Sequence, residues 1–218
     1  MPTGLVLSLY PNDAMKVYAR YFSDGLLNFR LNTVLRFGDS WNVIGAAVLI
    51  NPGSSKPMGD IDSDTFERLS AITGHADGWK EFSADVTMRQ VSKIFNGCYI
   101  GEDMPLSGCI LLFNLFNLRD GNLSEALELQ RDCKSGHLFS TEEDLARLTG
   151  VERIYLGWGS TGKHHLRQYA EAIFEAVKAK CPYLDVDFNR NAFYHPGYIN
   201  RSYRSNFTTQ KILKDFIS

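Results

Sequence analysis

The sequence lacks a hydrophobic run long enough to cross a membrane. A membrane-spanning helix needs about 18 apolar residues, whereas the run "VIGAAVLI" at residues 43–50 stops after eight. The first residues, "MPTGLVLSLYPND", have neither a basic stretch nor a small-residue cleavage site, so no signal peptide is expected. Internal repeats and low-complexity linkers are also missing. We therefore expect a cytoplasmic protein that does not contact a membrane.

Cysteine is scarce and unpaired in sequence. The four cysteines stand at positions 98, 109, 133 and 181, with no CxxC spacing. This spacing argues against a zinc ribbon or a disulfide scaffold and favours a reducing compartment. No metal and no cofactor are expected.

A strong overall charge is absent as well, because the formal net charge is −2. The C-terminal part departs from this average. From residue 189 onward, one acidic residue, Asp215, stands against five basic ones: Arg190, Arg201, Arg204, Lys211 and Lys214. Two interpretations stay open, a solvated basic helix or a face that meets an acidic partner.

What is present is the composition of a globular domain, with 44% hydrophobic and 22% charged residues among 218. A domain typically has roughly 100–200 residues, so we expect one domain over residues 1–218. Residues 1–42 are expected to be an N-terminal extension packed on the sheet.

Three short apolar runs end in polar residues or glycine, which is typical of buried strands that stop at loops. They are "NVIGAAVLINPGSS", "GCILLFNLFNLRDG" and "VERIYLGWGSTG". Helical stretches follow in "KHHLRQYAEAIFEAVKAK" and in the terminal "TTQKILKDFIS", and a last strand is predicted in "YLDVDFN". Strands that alternate with helices predict an α/β fold, a three-layer αβα sandwich around a mostly parallel central sheet.

Ligands of such sheets bind beyond the carboxyl ends of the strands, so the residues after each run are the candidates for a site. Asn51 follows the first run, Asn114 interrupts the second, and Trp158 ends the third. His195 opens an aromatic and arginine-rich segment near the C-terminus. Each also has an ordinary structural interpretation: a turn residue, a satisfied buried amide, a core aromatic or a structural histidine.

The string from Gly157 to Gly162 reads GxGxxG between a strand and a helix, as in dinucleotide-binding folds. However, only 56 residues follow Gly162, which leaves no room for a second nucleotide-binding half. Dinucleotide binding is therefore the weakest of the hypotheses kept open.

Four motifs, taken in order, resemble those of the uracil-DNA glycosylase superfamily: "LINPGSS", "GCILLFNLFNLRDG", "RIYLGWGSTGKHH" and "YHPGYINRSYRSNF". The first is similar to the Asn-Pro-Gly motif of the mismatch-specific and single-strand-selective branches. The last is similar to the His-Pro-Ser-Pro motif, with Gly197 and Tyr198 in place of the family's Ser and Pro. The resemblance spans about Val43 to Phe207.

The resemblance implies a monofunctional DNA glycosylase that flips a base out of DNA and hydrolyses its N-glycosidic bond. It implies that Asn51 positions the attacking water, that Asn114 reads the base edge, and that His195 stabilises charge on the leaving base. The other implied base contacts are Gly53, Ser54, Phe113 and Trp158. The implied contacts to the DNA backbone are Ser160, Lys163, Tyr198, Arg201 and Arg204. The last three are expected on a loop over residues 196–204.

Asn51 stands where faster branches of the family carry Asp, and an amide cannot act as a general base. Modest turnover is expected unless Asp60 or Asp62 reaches the site. Where the uracil-specific branch has a bulky Tyr, this chain has Gly53, Ser54 and Ser55. The open wall favours a pyrimidine with a bulky C5 substituent, such as the glucosylated 5-hydroxymethylcytosine of phage DNA, removed in phage defence.

Besides dinucleotide binding, two alternatives to this hypothesis stay open. One is a repair glycosylase for uracil, mismatched thymine or oxidised pyrimidines, and the other is a non-catalytic nucleic-acid-binding protein of the same fold. The expected partner is DNA that contains a modified or damaged base, and the expected state is a monomer.

Overall fold

The computed structural model describes residues 15–218, which form an α/β fold with one seven-stranded mixed sheet. No helix within these residues has the length and apolar character needed to span a bilayer. The strands are β1 (Lys16–Asp24), β2 (Leu27–Phe37), β3 (Val43–Leu49), β4 (Pro57–Gly59), β5 (Trp79–Phe82), β6 (Gly108–Asn114) and β7 (Ile154–Leu156).

The sheet order is β4-β5-β1-β2-β6-β3-β7. Only the β6–β3 and β3–β7 pairings are parallel, and the other four are antiparallel. The prediction of a mostly parallel sheet was therefore wrong. The three apolar runs do form the parallel part, whereas β1 and β2 join through a two-residue turn at Gly25 and Leu26, which forces them antiparallel.

The described residues contain eight α-helices. They are α1 (Ser63–Thr73), α2 (Val86–Phe95), α3 (Leu123–Asp132), α4 (Glu142–Gly150), α5 (Gly159–His164), α6 (Arg167–Val177), α7 (Pro196–Ser202) and α8 (Phe207–Ile217). The helices predicted in the last third of the chain correspond to α5, α6 and α8. The segment predicted as a loop over 196–204 instead contains α7.

The strand predicted in "YLDVDFN" is absent, and a 3₁₀ helix, Phe188–Arg190, stands there. The Asp185 side chain accepts a hydrogen bond from the Asp187 amide, and Asp187 accepts one from the Asn189 amide. Such local side-chain hydrogen bonds compete with strand pairing, which explains the failure of the prediction.

Helices pack on both faces of the sheet. On one face, the Phe95 ring of α2 lies over Gly45 of β3 and contacts Phe216 of α8. On the other face, Asn32 of β2 donates a hydrogen bond to Asp144 of α4. This arrangement is compatible with a three-layer sandwich.

The N-terminal segment contributes to the sheet itself, because residues 16–37 form β1 and β2 and β2 pairs with β6. Residues 1–14 of the expected extension lie outside the described residues. Within β2 the register shifts, so that Ala19 of β1 stands opposite two residues, Asn32 and Thr33. Asn32 has a positive φ of 48°, as one expects at a β-bulge.

Candidate functional site

A cavity of about 730 Å³ opens at the carboxyl ends of β3, β6 and β7. Sites for small molecules commonly have volumes of about 300–1,000 Å³, so this cavity is large enough for a nucleoside. Its wall includes Asn51, Asn114, Trp158 and His195, which come from four separate segments of the chain. The structure thus brings together four residues that the sequence analysis singled out.

Asn51 follows β3 at the edge of the cavity. Its side-chain Nδ2 donates a hydrogen bond to the Asp120 carbonyl over 2.9 Å, which fixes the amide plane. The amide oxygen remains as an acceptor. Gly53 also lines the cavity and has a φ of +70°, a conformation that side chains other than glycine rarely adopt.

Asn114 is the last residue of β6, and its side chain is 5% exposed. It makes no side-chain hydrogen bond to any residue between 15 and 218. Its amide atoms are not among the fully enclosed, unpartnered polar atoms of the described residues, so they face the open cavity, where a ligand can contact them.

Phe113, an expected base contact, does not line the cavity. Successive side chains of a strand point to opposite faces, and the cavity is lined by Leu112 and Asn114 on either side of Phe113. Phe113 is buried in the core instead.

Trp158 lines the cavity and is almost fully buried, with its ring 4.6 Å from that of Phe193. Its indole Nε1 has no hydrogen-bond partner among the described residues. A Cβ on Gly162 would lie 2.3 Å from the Trp158 Cδ1 atom, so the last glycine of the GxGxxG string is needed for this ring to pack. Close packing of Trp158 accounts for that glycine without a dinucleotide.

His195 caps the N-terminus of α7. Its Nδ1 atom accepts a hydrogen bond from the Gly197 amide over 3.1 Å, so a neutral ring carries its proton on Nε2. Burial, helped by the positive charge of Arg201, lowers the pKa of His195 from its usual value, against the opposing effect of Asp85. The ring is therefore a neutral hydrogen-bond donor at pH 7.

The expected contacts to the DNA backbone divide into two groups. Ser160 and Tyr198 line the cavity, and the Tyr198 ring stacks on Tyr194 at 4.7 Å. Arg201 and Arg204 are exposed and do not line it. The Lys163 side chain lies outside the described part of the chain.

Ser54, an expected base contact, is exposed and does not line the cavity. Its carbonyl accepts a hydrogen bond from the Arg119 guanidinium, and its Cβ would lie 2.9 Å from a Cβ on Gly121. The loop is thus held against the segment after β6, and of the two small residues Gly53 and Ser54 only Gly53 borders the cavity.

The carboxylates at the site are not those considered from the sequence. Asp60 pairs with Lys80, Asp62 caps α1, and neither lines the cavity. Asp85 and Asp120 line it instead. Asp85 is the N-cap of α2, and an Asp before a helical stretch is the only signal in the sequence that could have pointed to it.

Sequence reasoning also missed Arg30 and Thr33, which line the cavity from β2. Both stand in a strand that mixes polar and apolar residues, so no local pattern in the sequence distinguishes them.

Comparison with known protein families, with curated proteins and with solved structures finds no match to this chain. Within residues 15–218, no three His, Cys, Asp or Glu side chains lie close enough together to hold a metal ion. The candidate site consists of two amides, a neutral histidine and a buried tryptophan around a cavity of nucleoside size.

Proposed function

We propose that this protein is a monofunctional DNA glycosylase with a uracil-DNA-glycosylase-like sandwich fold, which flips out a modified pyrimidine and leaves an abasic site. One observation carries the proposal: Asn51, Asn114 and His195, which are far apart in sequence, line the same cavity. Each stands in one of the motifs that resemble the superfamily, in the position that the resemblance assigns to chemistry.

The hydrogen bonds around Asn51 and His195 suit hydrolysis of an N-glycosidic bond. Asn51 donates to the Asp120 carbonyl, which leaves its amide oxygen to accept a hydrogen bond from the attacking water. The Nδ1 atom of His195 accepts a hydrogen bond from the Gly197 amide. The Nε2–H group therefore remains to donate to the base as negative charge develops on the base. A donor placed at such a developing charge is commonly worth about 3–4 kcal/mol of barrier reduction.

Asn114 supplies the contact that reads the base. Its amide offers one acceptor and two donors, matching the mixed hydrogen-bonding edge of a pyrimidine. A base bound there would satisfy an amide that has no partner in the described residues.

The volume of the cavity favours a pyrimidine with a bulky C5 substituent over plain uracil. The wall at Gly53 carries no side chain, and the cavity of about 730 Å³ exceeds what a single ring needs. Glucosylated 5-hydroxymethylcytosine of phage DNA is the substrate we favour, with DNA as partner and phage defence as the role.

Base release tests the proposal directly. Separate DNAs carrying uracil, a G·T mismatch, 5-hydroxymethylcytosine and glucosylated 5-hydroxymethylcytosine are incubated with the protein, and abasic sites are then cleaved with alkali. We expect strand breaks in the glucosylated DNA, reduced at least about 100-fold by Asn51→Ala and by Asn114→Ala. Asn42→Ala is the matched control, because Asn42 is exposed and precedes the same strand that Asn51 follows.

Each other outcome has a distinct meaning. Breaks confined to uracil or mismatched DNA would identify a repair glycosylase and refute the substrate assignment. DNA binding without breaks in any substrate would favour a non-catalytic role. The observation that favours a non-catalytic protein is the amide of Asn51, because a carboxylate at this position would be the stronger catalyst.

A further inference from the structure

A second polar group lines the cavity from the antiparallel side of the sheet. It consists of Arg30 and Thr33 of β2, together with Asp85 at the start of α2. In a regular strand, residues three apart point to opposite faces. The extra residue at the bulge brings Arg30 and Thr33 to the same face, the one that borders the cavity.

Arg30 is only 4% exposed, yet its hydrogen bonds are incomplete. Nη2 donates to the Pro52 carbonyl, whereas Nε and Nη1 are buried and have no partner among the described residues. The hydroxyl of Thr33 is buried without a partner as well. Because buried polar groups are nearly always satisfied, three unsatisfied atoms on two residues that line the cavity point to a ligand contact, which a small side-chain movement would complete.

Unpartnered nitrogens alone do not define the site, as Arg36 shows. Its Nε atom is also buried without a partner, but Arg36 does not line the cavity and its guanidinium stacks over Trp41 at 4.3 Å. Arg30 also lies over an aromatic ring, that of Phe82 at 5.6 Å, but unlike Arg36 it borders the cavity that a ligand can enter.

The charges decide what chemistry fits. Burial lowers the pKa of Arg30 to about 10, so the guanidinium stays protonated at neutral pH. Asp85 Oδ2 lies 3.8 Å from Arg30 Nη2 and lines the same cavity. A phosphate or carboxylate ligand would be repelled by Asp85, whereas a hydroxyl can donate to Asp85 and accept from Arg30.

We propose that Arg30, Thr33 and Asp85 form a subsite that binds a neutral, hydroxyl-bearing substituent on the flipped pyrimidine. This rests on the proposed function and extends it, since it assigns the residues that distinguish a sugar-bearing base from an unsubstituted one. A Cβ on Gly53 would lie 4.0 Å from Asp85 Oδ2, which places the subsite at the open wall beside Gly53.

Binding of free nucleosides tests the subsite without requiring base release. Isothermal titration compares 2′-deoxycytidine, its 5-hydroxymethyl form, the glucosylated 5-hydroxymethyl form and the anionic 5-carboxyl form. We expect the glucosylated nucleoside to bind at least about tenfold more tightly than deoxycytidine. Thr33→Val, which keeps the side-chain shape, should reduce this preference about fivefold, and Arg30→Met should abolish it.

Arg36→Met is the matched control: the same type of residue on the same strand, away from the cavity, and it should keep the full preference. An unchanged preference in Thr33→Val and in a folded Arg30→Met would overturn the subsite. Tightest binding of the 5-carboxyl nucleoside would overturn its neutral character. Base release without any nucleoside preference refutes the subsite alone, whereas a preference that depends on Arg30 without base release refutes the glycosylase alone.

Discussion

His195 has a single ring nitrogen free for chemistry, because Gly197 occupies the other. The sequence singled out this residue because it opens an aromatic and arginine-rich segment, but it did not give the protonation state of the ring. In the structure, the protonation state of His195 follows from its burial and from the nearby charges of Arg201 and Asp85. At the scale of the residue, the site depends on a histidine that stays neutral.

The pH dependence of His195 follows from the direction of its shift. The folded pKa lies below the usual value of about 6.5, so the neutral ring predominates at pH 6.5 and above. Protonation places a proton on Nδ1, which can then no longer accept the hydrogen bond from the Gly197 amide that orients Nε2–H toward the base. Base release should therefore fall as the pH drops below about 6.5. Titration of the His195 ring by NMR in the free protein measures the same pKa without substrate.

Arg201→Gln removes a positive charge that opposes protonation, so the pKa of His195 and the acid limb of activity should both move to higher pH. Arg204→Gln is the control, since Arg204 is not among the groups that shift this pKa. Equal NMR titration curves for the wild type and Arg201→Gln would contradict the electrostatic account.

At the scale of the element, the bulge in β2 is held from the face of the sheet opposite the cavity. The Asn32 side chain accepts a hydrogen bond from Arg20 Nη1 at 3.2 Å and donates one to Asp144. Asp144 also pairs with His75 over 2.7 Å. Burial raises the pKa of Asp144, but the hydrogen bonds from His75, Thr141 and Asn32 outweigh it and hold the pKa below its usual range.

Two substitutions of Asn32 separate its backbone role from its side-chain role. Both Asn32→Ala and Asn32→Gly lose the hydrogen bonds to Arg20 and Asp144, at a cost of about 2 kcal/mol. The Asn32→Ala variant should be about 1 kcal/mol less stable than the Asn32→Gly variant, because glycine adopts a φ of 48° without strain and alanine does not. Urea unfolding measures the stability of both Asn32 variants. As a control, Asn42→Ala changes an exposed residue, so its free energy of unfolding should stay within about 0.5 kcal/mol of that of the wild type. A more stable alanine variant would show that Asn32 does not hold this conformation in solution.

At the scale of the whole molecule, Gly45 is a point where the sheet and helix α2 pack in close contact. A Cβ there would lie 2.2 Å from Phe95 Cε1 and 3.0 Å from the Arg153 carbonyl, so both a side chain and a backbone would have to move. Gly45→Ala should cost about 1–3 kcal/mol in the free energy of unfolding.

Gly150→Ala is the matched control for Gly45→Ala. Gly150 ends α4, and its added Cβ would meet no atom within 4 Å, so the free energy of unfolding should stay within about 0.5 kcal/mol of wild type. Thermal and urea unfolding of the two variants are compared side by side. Equal stability of both would mean that α2 does not pack on β3 as described.

The sequence could predict the parallel part of the sheet, because β3, β6 and β7 are continuous apolar runs that end in polar loops. It could not predict that β2 lies beside β6, since this pairing joins segments about 75 residues apart and leaves no local pattern. The same limit applies to the site. Asn51 and Asn114 follow from strand ends, whereas the strand predicted before His195 is absent. Arg30 enters only through the position of β2 in the sheet.

The bulge also determines how this chain aligns with any relative. Asn32 is in effect a one-residue insertion: without it, Arg30 and Thr33 would stand two apart, and an unbulged strand would keep them on one face. A relative with a regular strand here would carry one residue fewer between these positions and no asparagine to pair with Asp144. An ungapped alignment through β2 would then match cavity-facing residues of one chain with residues of the opposite face in the other.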